Sequence, residues 1–287
     1  MAEKLTVLVT GASSGIGQAA AVELARHGHT VFAAARRHAA LGELAATHRG
    51  IVASSMDVTD EDSIAKAWKI IDAATEGTGV DVLVNAAGFA LTGPLETLSS
   101  REVKQQFDTN VFGLLAVTRT VLPSMRARGA GRVINISSIV GRTSFPAMGA
   151  YGATKYAVEA LSDSLRMELA PLGIKVVLIE PGFVATDIFA APTQQRHGAL
   201  APQASSAVED IAAYGPLMGA ADKFLDKQMK RAMPATVLAR TIAAAAETPR
   251  PRTRYVAPAS AKGLVAIFTR LPDRLADAAK LRITAIT

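Results

Sequence analysis

Short runs of apolar residues alternate along the first two thirds of the chain with longer segments in which apolar residues recur every three or four positions. The short runs predict buried β-strands, and the longer segments predict helices that cover a sheet. Strands that alternate with helices are typical of a doubly wound parallel sheet, here a three-layer α/β/α Rossmann fold with ligands at the carboxyl ends of its strands. The predicted strands are residues 5–10, 30–35, 51–56, 80–84, 132–136 and 175–179.

The pattern loosens after residue 188, where alanine, proline and glutamine become frequent without a clear period. We interpret residues 1–287 as one domain, with a cofactor-binding and catalytic core at 5–188 and a substrate flap and C-terminal extension at 189–287. The remaining predicted elements are helices at about 60–76, 102–128, 151–173 and 234–247, a mobile flap at 190–207, an edge strand at 253–256 and a helix that ends at Pro272.

A glycine-rich turn from Thr10 to Gly17 joins the first predicted strand to the first predicted helix. Glycines allow a backbone to approach a pyrophosphate, and a helix N-terminus offers free N–H groups to it, so the turn predicts a dinucleotide site, although tight turns also need glycine. Arg36 and Arg37 follow the second strand, where an arginine accommodates the 2′-phosphate of NADP(H). This favours NADP(H), with NAD(H) still possible. The alternative is two solvated arginines at a strand end.

Tyr151 and Lys155 are four residues apart at the start of a predicted helix, so they share one face of it. A lysine ammonium about 4 Å from a phenol would stabilise the tyrosinate and lower the tyrosine pKa from ~10 towards about 7 at most. Such a tyrosine is a suitable general acid and base. The alternative is an apolar core tyrosine beside a solvated lysine. Asn110 lies among apolar residues and is either a polar bridge in the core or a functional residue.

Composition and charge narrow the possible functions. The absence of cysteine excludes disulfides, thiol nucleophiles and thiolate metal sites, and fits a cytoplasmic location. No signal peptide and no apolar stretch of about 20 residues is recognisable. The net charge of +6 lies in the tail, because residues 1–189 carry 17 basic and 18 acidic residues and residues 190–287 carry 14 and 7.

The basic tail predicts a solvated surface rather than a nucleic-acid interface, since it has no aromatic-interleaved basic stripe. An acidic carrier protein or peripheral contact with an anionic membrane stays open, the latter through the apolar face from Leu264 to Leu271. The histidines have no paired metal-ligand spacing, so no metal site is predicted. We expect four of them on the solvated surface: His27, His29, His38 and His48.

Taken together, the motifs resemble those of the short-chain dehydrogenase/reductase superfamily over about residues 5–188. In family order and spacing, the matching residues are Thr10, Gly11, Gly15, Ile16, Gly17, Asn85, Ala86, Gly88, Asn110, Ser138, Tyr151, Lys155, Pro181, Gly182 and Thr186.

The resemblance implies four catalytic residues. Tyr151 would donate the proton to a carbonyl oxygen, with Ser138 as its hydrogen-bonding partner. Lys155 would lower the tyrosine pKa and hold the nicotinamide ribose, and Asn110 would seat a water in the proton relay. The implied reaction is hydride transfer with the cofactor. A cofactor-sensing regulatory protein, or a dehydratase or epimerase on the same fold, is the alternative.

The resemblance also implies where the cofactor lies and that subunits associate. Many NADP-preferring members have a basic residue where this chain has Ser14, so the NADP(H) prediction depends on Arg36 and Arg37. A four-helix interface around Asn110 and Tyr151 implies a homodimer or homotetramer. The expected cofactor-binding residues are Thr10, Gly11, Ser13, Ser14, Gly15, Ile16, Gly17, Arg36, Arg37, Asp57, Val58, Asn85, Ala86, Gly88, Tyr151, Lys155, Pro181, Gly182, Val184 and Thr186.

The residues just beyond the predicted strand ends are nearly all apolar, which favours a lipophilic ketone, aldehyde or alcohol as substrate. Resembled enzymes that act on steroids, retinoids and similar alcohols share such a lining. Arg142 is expected to be able to reach the rim and select an acidic group. The expected pocket residues are Phe89, Ala90, Leu91, Ile139, Val140, Phe145, Met148, Phe183, Val184, Ile188 and Phe189.

Overall fold

The computed structural model describes residues 4–189 and 213–286. Its strands are β1 Thr6–Thr10, β2 Thr30–Ala35, β3 Ile51–Ser55, β4 Val82–Asn85, β5 Gly131–Ile136, β6 Ile174–Pro181, β7 Val184–Ala185, β8 Met233–Pro234 and β9 Arg254–Ala257. Seven of them form one parallel sheet in the order β3-β2-β1-β4-β5-β6-β9, and β7 pairs with β8. The predicted doubly wound parallel sheet is therefore confirmed.

The central strands are continuous apolar runs because helices cover both faces of the sheet. Val9 of β1, for example, pairs with Ala33 of β2 on one side and with Val84 of β4 on the other, and all three are buried. The helices are α1 Gly15–Arg26, α2 His38–Thr47, α3 Glu61–Ala74, α4 Ser100–Phe107, α5 Leu114–Arg128, α6 Gly149–Leu169, α7 Gly215–Met229, α8 Ala235–Glu247, α9 Ala261–Phe268 and α10 Asp273–Thr284.

The two faces carry different helices. Helices α1, α2 and α8 pack on one apolar face, and α3, α5 and the end of α6 pack on the other. All the parallel strands of the sheet end at the same edge, so the polar residues that follow them lie together there.

The predicted helix over 102–128 is interrupted. Helix α4 begins at a capping box, in which the side chains of Ser99 and Glu102 each bond to the other residue's backbone N–H. A π-helical segment, Asp108–Gly113, then leads into α5, and it contains Asn110. Single π-turns within helices are frequent at functional sites, and hydrophobic periodicity cannot reveal them.

In the C-terminal part of the chain, α8 and β9 lie where a helix and an edge strand were predicted. Helices α2, α7 and α10 were not predicted by the sequence analysis. The flap expected at 190–207 lies outside the described residues. Across the described ranges, no helix is both long enough and apolar enough to cross a membrane.

The expectation that all four of those histidines are solvated is wrong for His29, which is only 3% exposed. Its Nδ1 accepts a hydrogen bond from the backbone N–H of Leu5 at 3.2 Å, so the neutral ring carries its proton on Nε2. Nε2 faces Glu247 Oε1 at 3.1 Å and donates to it. Glu247 is 218 residues away in sequence, so no local pattern indicates this pair.

Candidate active site

A cavity of about 560 Å³ lies at the carboxyl ends of the central strands. It extends from Ile16 in the glycine-rich turn, past the loops that follow β4 and β5, to the first turns of α6. The topology of the sheet brings these segments together, since parallel strands present their following loops at one edge. The cavity therefore occupies the position that the fold provides for a ligand.

Three of the predicted catalytic residues line this cavity: Ser138, Tyr151 and Lys155. Ser138 follows β5, and its hydroxyl donates a hydrogen bond to the carbonyl oxygen of Pro181 at 3.3 Å. Lys155 is one turn of α6 beyond Tyr151, and its Nζ lies 5.7 Å from the centre of the tyrosine ring. The same Nζ donates a hydrogen bond to the carbonyl oxygen of Ile136 at 2.9 Å.

The expected fall of the Tyr151 pKa towards about 7 is not met in this structure. Burial raises the pKa of Tyr151 above its ordinary value, and the neighbouring Ser138 hydroxyl opposes this only in part. Burial also lowers the pKa of Lys155 to about 8, opposed by the negative charge of Glu159. Because both side chains are enclosed, the cost of desolvating their charged forms outweighs their attraction across the ring. The phenol is therefore protonated at neutral pH.

Asn110 is buried and does not line the cavity, and its side-chain amide makes three hydrogen bonds. Its Oδ1 accepts from the backbone N–H of Phe89 at 3.1 Å, and its Nδ2 donates to the Phe89 carbonyl oxygen at 2.9 Å and to Thr154 Oγ1 at 3.1 Å. A Cβ on Gly88 would lie 3.0 Å from Asn110 Oδ1 and 4.0 Å from Lys155 Nζ. Asn110 therefore positions the loop after β4 beside the lysine.

The glycine-rich turn packs directly against the loop after β4. A Cβ on Gly11 would lie 2.7 Å from Ala87 Cα, and one on Gly17 would lie 2.5 Å from the Gly11 carbonyl oxygen, so neither position has room for a larger residue. The Thr10 hydroxyl accepts hydrogen bonds from the N–H groups of Ala86 and Ala87 at 3.1 and 3.2 Å.

This turn fits a dinucleotide pyrophosphate on structural grounds. It leads straight into the N-terminus of α1, whose free N–H groups favour an anion. Gly15 adopts a positive φ of 57°, and Thr186 from the loop after β6 approaches within 3.2 Å of the position of a Gly15 Cβ. Two loops from opposite sides of the site thus meet beside the turn, where cofactor-binding residues were predicted.

The two arginines after β2 differ in their contacts. Arg37 Nε donates to Ser13 Oγ at 3.1 Å, and its Nη2 donates to Ser14 Oγ at 2.7 Å. Arg36 is exposed, and its side chain makes no hydrogen bond or ion pair with any residue in 4–189 or 213–286. Arg37, Ser13 and Ser14 thus form a polar group beside the first glycines, close to where a ribose phosphate was predicted.

Two other predicted cofactor residues have clear local partners. Asp57 Oδ1 accepts from the backbone N–H and the hydroxyl of Thr59 at 3.0 and 2.8 Å, which fixes the turn after β3. Val58 is buried next to Gly113, where a Cβ would lie 2.8 Å from the Val58 carbonyl oxygen. The close approach at Gly113 connects this turn to the π-helical segment.

The side chain of Asn85 holds neighbouring strand ends together. Its Nδ2 donates to Thr118 Oγ1 at 3.0 Å and to Asn135 Oδ1 at 2.9 Å, and Asn135 Nδ2 donates to Ser162 Oγ at 2.9 Å. This buried ladder runs from β4 across β5 to α6 and aligns the strands that carry the loop after β4 and Ser138. Asn85 therefore acts on the site through the backbone that it braces.

A partly buried ionic cluster lies behind the predicted catalytic residues, and the sequence analysis did not anticipate it. Arg254 of β9 bonds to Glu159 at 3.2 Å, to Asp163 at 2.7 Å and to Glu180 at 3.0 Å. Burial raises the pKa of Glu159, opposed by the neighbouring Ser137 hydroxyl and by the charge of Arg254.

Arg142 belongs to the same cluster. Its Nη1 lies 3.3 Å from Glu180 Oε1, and Arg142 does not line the cavity. The expectation that it selects an acidic substrate group at the rim is therefore wrong, because the buried carboxylate of Glu180 holds its guanidinium.

The wall of the cavity beyond Ser138 and Tyr151 is mostly apolar, as expected. Phe89, Ala90 and Leu91 were expected there but do not line it, and Ala90 and Leu91 are buried in the core. The expected residues that do line it are Ile139, Val140, Phe145, Met148, Phe183, Val184, Ile188 and Phe189. Lining residues of the tail that were not expected are Phe224, Gln228, Arg231, Met233, Pro258, Ser260, Ala261, Leu264 and Ile283.

Comparison with known families agrees with this geometry. The family model for short chain dehydrogenase matches residues 5–197, which include every strand-end motif described above. The chain belongs to the short-chain dehydrogenase/reductase family. It is therefore an oxidoreductase of the kind that acts on CH–OH groups.

Three curated members of the family are similar to the chain. The uncharacterized oxidoreductase YusZ of Bacillus subtilis is 46% identical over 65% of this chain and 67% of that protein. The NADPH-dependent 3-dehydrocapnine reductase of Ornithobacterium rhinotracheale is 32% identical over 94% of each chain. Retinol dehydrogenase 16 of Rattus norvegicus is 34% identical over 95% of this chain and 86% of that protein.

Solved short-chain dehydrogenase/reductase structures have the same fold. A short-chain dehydrogenase from Streptomyces avermitilis superposes with a TM-score of 0.74 at 32% identity, covering 98% of this chain and 96% of that chain. The closed form of a serine dehydrogenase in complex with NADP+ superposes with a TM-score of 0.73 at 27% identity, covering 88% and 94%. The whole of the described sheet therefore belongs to a known architecture.

Proposed function

We propose that the protein is an NADP(H)-dependent oxidoreductase that interconverts a lipophilic ketone or aldehyde and its alcohol. The observation that carries this proposal is the cavity itself, in which an almost wholly apolar wall ends at the hydroxyl groups of Ser138 and Tyr151. An apolar cavity with a few converging polar groups binds a hydrocarbon body and orients one polar function. Here the oriented function would be a carbonyl oxygen.

The catalytic roles follow from the protonation states in the site. A reduced nicotinamide, when bound, supplies the hydride. Tyr151 holds its proton at neutral pH, so it is able to donate that proton to the carbonyl oxygen as negative charge develops there. Ser138 lines the cavity with Tyr151 and would bond to the same oxygen. Charged Lys155 would stabilise the tyrosinate that remains and contact the nicotinamide ribose.

The preference for NADP(H) is proposed from the guanidinium of Arg37, which lies over the glycine-rich turn on Ser13 and Ser14, with Arg36 exposed beside it. Two cations suit a ribose 2′-phosphate better than an unesterified hydroxyl. One relative is named as NADPH-dependent and one solved neighbour holds NADP+, which supports this preference. Use of NAD(H) as a weaker cofactor is part of the proposal.

Subunit association is proposed from exposed apolar residues. Phe112, Tyr156 and Met167 are all more than 40% exposed, and they belong to the π-helical segment and α6. These are the helices expected to form the interface, so a homodimer or homotetramer would bury apolar surface that the single chain leaves in water.

The proposed function is tested by replacing Tyr151 with phenylalanine. Tyr151→Phe keeps the ring and removes the proton donor, so kcat for ketone reduction with NADPH should fall by about 100-fold or more. The matched control is Tyr156→Phe, because Tyr156 lies on the same helix and is exposed. Binding of NADPH, measured by its fluorescence, should survive in both variants. Near-normal turnover by Tyr151→Phe would overturn the mechanism.

The substrate class is tested with a panel of carbonyl compounds run with NADPH. The panel includes long-chain ketones, a steroid-like ketone, a sugar and a short keto-acid. We expect the highest kcat/KM for a hydrocarbon-rich member, because an apolar wall leaves the polar groups of a sugar unpaired. A highest kcat/KM for the sugar or the short keto-acid would refute the proposed class.

A further inference from the structure

The charges in the wall of the cavity are all of one sign. Among the described residues that line it, only Lys155 and Arg231 are charged, and none is an aspartate or glutamate. Lys155 is enclosed and bonded to the Ile136 carbonyl oxygen, and the proposed mechanism already uses it. Arg231 is exposed, and its side chain makes no hydrogen bond or ion pair with any residue of the described ranges. It is thus a cation at the edge of an apolar cavity, with no role in the proposed reaction.

The position of Arg231 is defined by bonds on both sides of it. Its backbone N–H donates to the carbonyl oxygen of Gln228 at 3.0 Å, which continues the last turn of α7. Two residues later, the N–H of Met233 donates to the carbonyl oxygen of Phe183 at 3.0 Å, and Met233 pairs with Val184. Arg231 is therefore anchored beside the loop after β6, which forms part of the same wall.

Helix α7 presents an ordered series of side chains to the cavity. Phe224, Gln228 and Arg231 are four and then three residues apart, so they lie on one face of the helix and just beyond its end. Phe224 packs edge-on against Phe183 with ring centres 6.0 Å apart. Along this face the lining changes from aromatic, through amide, to guanidinium. Such a series matches a ligand with a hydrocarbon body and an anionic end.

We propose that Arg231 binds an anionic end group of the substrate, such as a carboxylate, while the apolar wall holds the hydrocarbon chain and the carbonyl lies at Tyr151. The proposal refines the proposed function and rests on it for the identity of the reacting group. A guanidinium offers paired donors to a carboxylate, and the absence of carboxylates from the described lining leaves no internal competitor. Gln228 is close enough in sequence to add a neutral donor on the same face.

The test measures binding separately from turnover. Dodecanoate and its methyl ester are titrated calorimetrically into the full-length protein in the presence of NADP+, using the unmodified chain, Arg231→Gln and the matched control Lys230→Gln. Lys230 is the neighbouring exposed cation and does not line the cavity. We expect the unmodified protein and Lys230→Gln to bind dodecanoate about tenfold more tightly than the ester, the usual size of a hydrogen bond to a charged group. Arg231→Gln should abolish this difference.

Several results would overturn the proposal. Equal affinities for acid and ester in the unmodified protein would overturn it. So would a loss of the preference for the acid in Lys230→Gln as large as that in Arg231→Gln. A tenfold weaker binding of NADP+ by Arg231→Gln, with the acid-to-ester ratio intact, would assign Arg231 to the cofactor instead. A lower melting temperature with an intact ratio would assign it to stabilising the carboxyl end of α7.

A kinetic arm separates this proposal from the proposed function. The substrates are a twelve-carbon oxo-acid and its methyl ester, assayed with NADPH. Higher kcat/KM for the acid, lost in Arg231→Gln, would support both proposals. Binding of dodecanoate that depends on Arg231, with no turnover of either ketone, would support the anion site and overturn ketone reduction. Turnover of both ketones with equal kcat/KM would support the reduction and overturn the anion site.

Discussion

Replacement of Arg254 by methionine tests the structural role of the ionic cluster behind the site. The guanidinium bonds to three carboxylates at 2.7 to 3.2 Å, and the side chains of Glu159 and Glu180 are only 8% and 1% exposed. Arg254→Met keeps most of the hydrocarbon length and removes the charge. Two buried carboxylates then lose their principal cation, which is the costly way to break a buried ion pair.

The expected loss is large because breaking a buried pair typically costs about 3–5 kcal/mol. Arg142 remains 3.3 Å from Glu180 and compensates in part, so the lower end of that range applies. A loss of about 3 kcal/mol corresponds to a melting temperature roughly 6–12 °C lower for a chain of this size. The matched control is Arg240→Met, because Arg240 is 73% exposed and 3.9 Å from Glu23. An exposed pair contributes at most about 1 kcal/mol.

The difference in melting temperature between Arg254→Met and the unmodified protein should depend on pH in a defined direction. The charge of Arg254 lowers the pKa of Asp163 and opposes the rise in the pKa of Glu159. Removal of the Arg254 charge raises the pKa of both Asp163 and Glu159. As pH falls, protonation of these carboxylates therefore reduces the stability lost in the variant. The melting-temperature difference should therefore be largest at pH 7–8. It should shrink as Glu159 is protonated, at a pH above its ordinary pKa of 4.5, and disappear only below the ordinary Asp163 pKa of 3.8. A melting temperature within 2 °C of that of the unmodified protein (~1 kcal/mol) would refute the reasoning. A melting-temperature difference that widens in acid would also refute it.

Three further predictions concern the cofactor, the lysine and assembly. Arg37→Ala should raise KM for NADPH about tenfold with little change for NADH, and an equal rise for both would count against the 2′-phosphate assignment. In Glu159→Gln the Lys155 pKa should fall further below about 8, so the alkaline limb of kcat/KM should move to lower pH, and an unmoved or more alkaline limb would contradict the coupling. Sedimentation velocity should show a dimer or tetramer, and a single 29.9 kDa species would reject both.

Local sequence patterns were sufficient for the core of the fold. The six strands of the first two thirds are short and apolar, periodic helices separate most of them, and the structure places all six in one parallel sheet. A parallel strand with both faces covered is apolar along its whole length, so its sequence pattern is strong. The glycine-rich turn was also predicted from sequence, since the spacing of its glycines reflects contacts between residues that are close along the chain.

The features that were missed depend on contacts between distant segments. His29 looked like a surface residue because its partner Glu247 is far along the chain, and Glu159 could not be assigned a role without Arg254, 95 residues later. Helix α2 was not predicted because only Leu41 and Leu44 are buried in it, which is too few for a recognisable period. The part of the cavity wall contributed by α7 and the C-terminal helices was also missed. Only isolated side chains of these helices line the cavity, and such single positions give no recognisable period.

The sign of the tyrosine shift shows what spacing alone cannot determine. Spacing of four residues correctly placed Lys155 near Tyr151, and Coulomb's law then predicted a lower tyrosine pKa. Desolvation depends on how completely the rest of the fold encloses the pair, and here it raises the pKa of Tyr151 and lowers that of Lys155. Below about pH 8 the site therefore holds a protonated phenol beside a charged ammonium. This is the state needed to give a proton to a carbonyl oxygen, whereas oxidation of an alcohol must first remove the proton from the phenol. The enclosure of these two side chains thus leaves the phenol protonated at neutral pH, which is the state that the reductive direction of the proposed reaction requires.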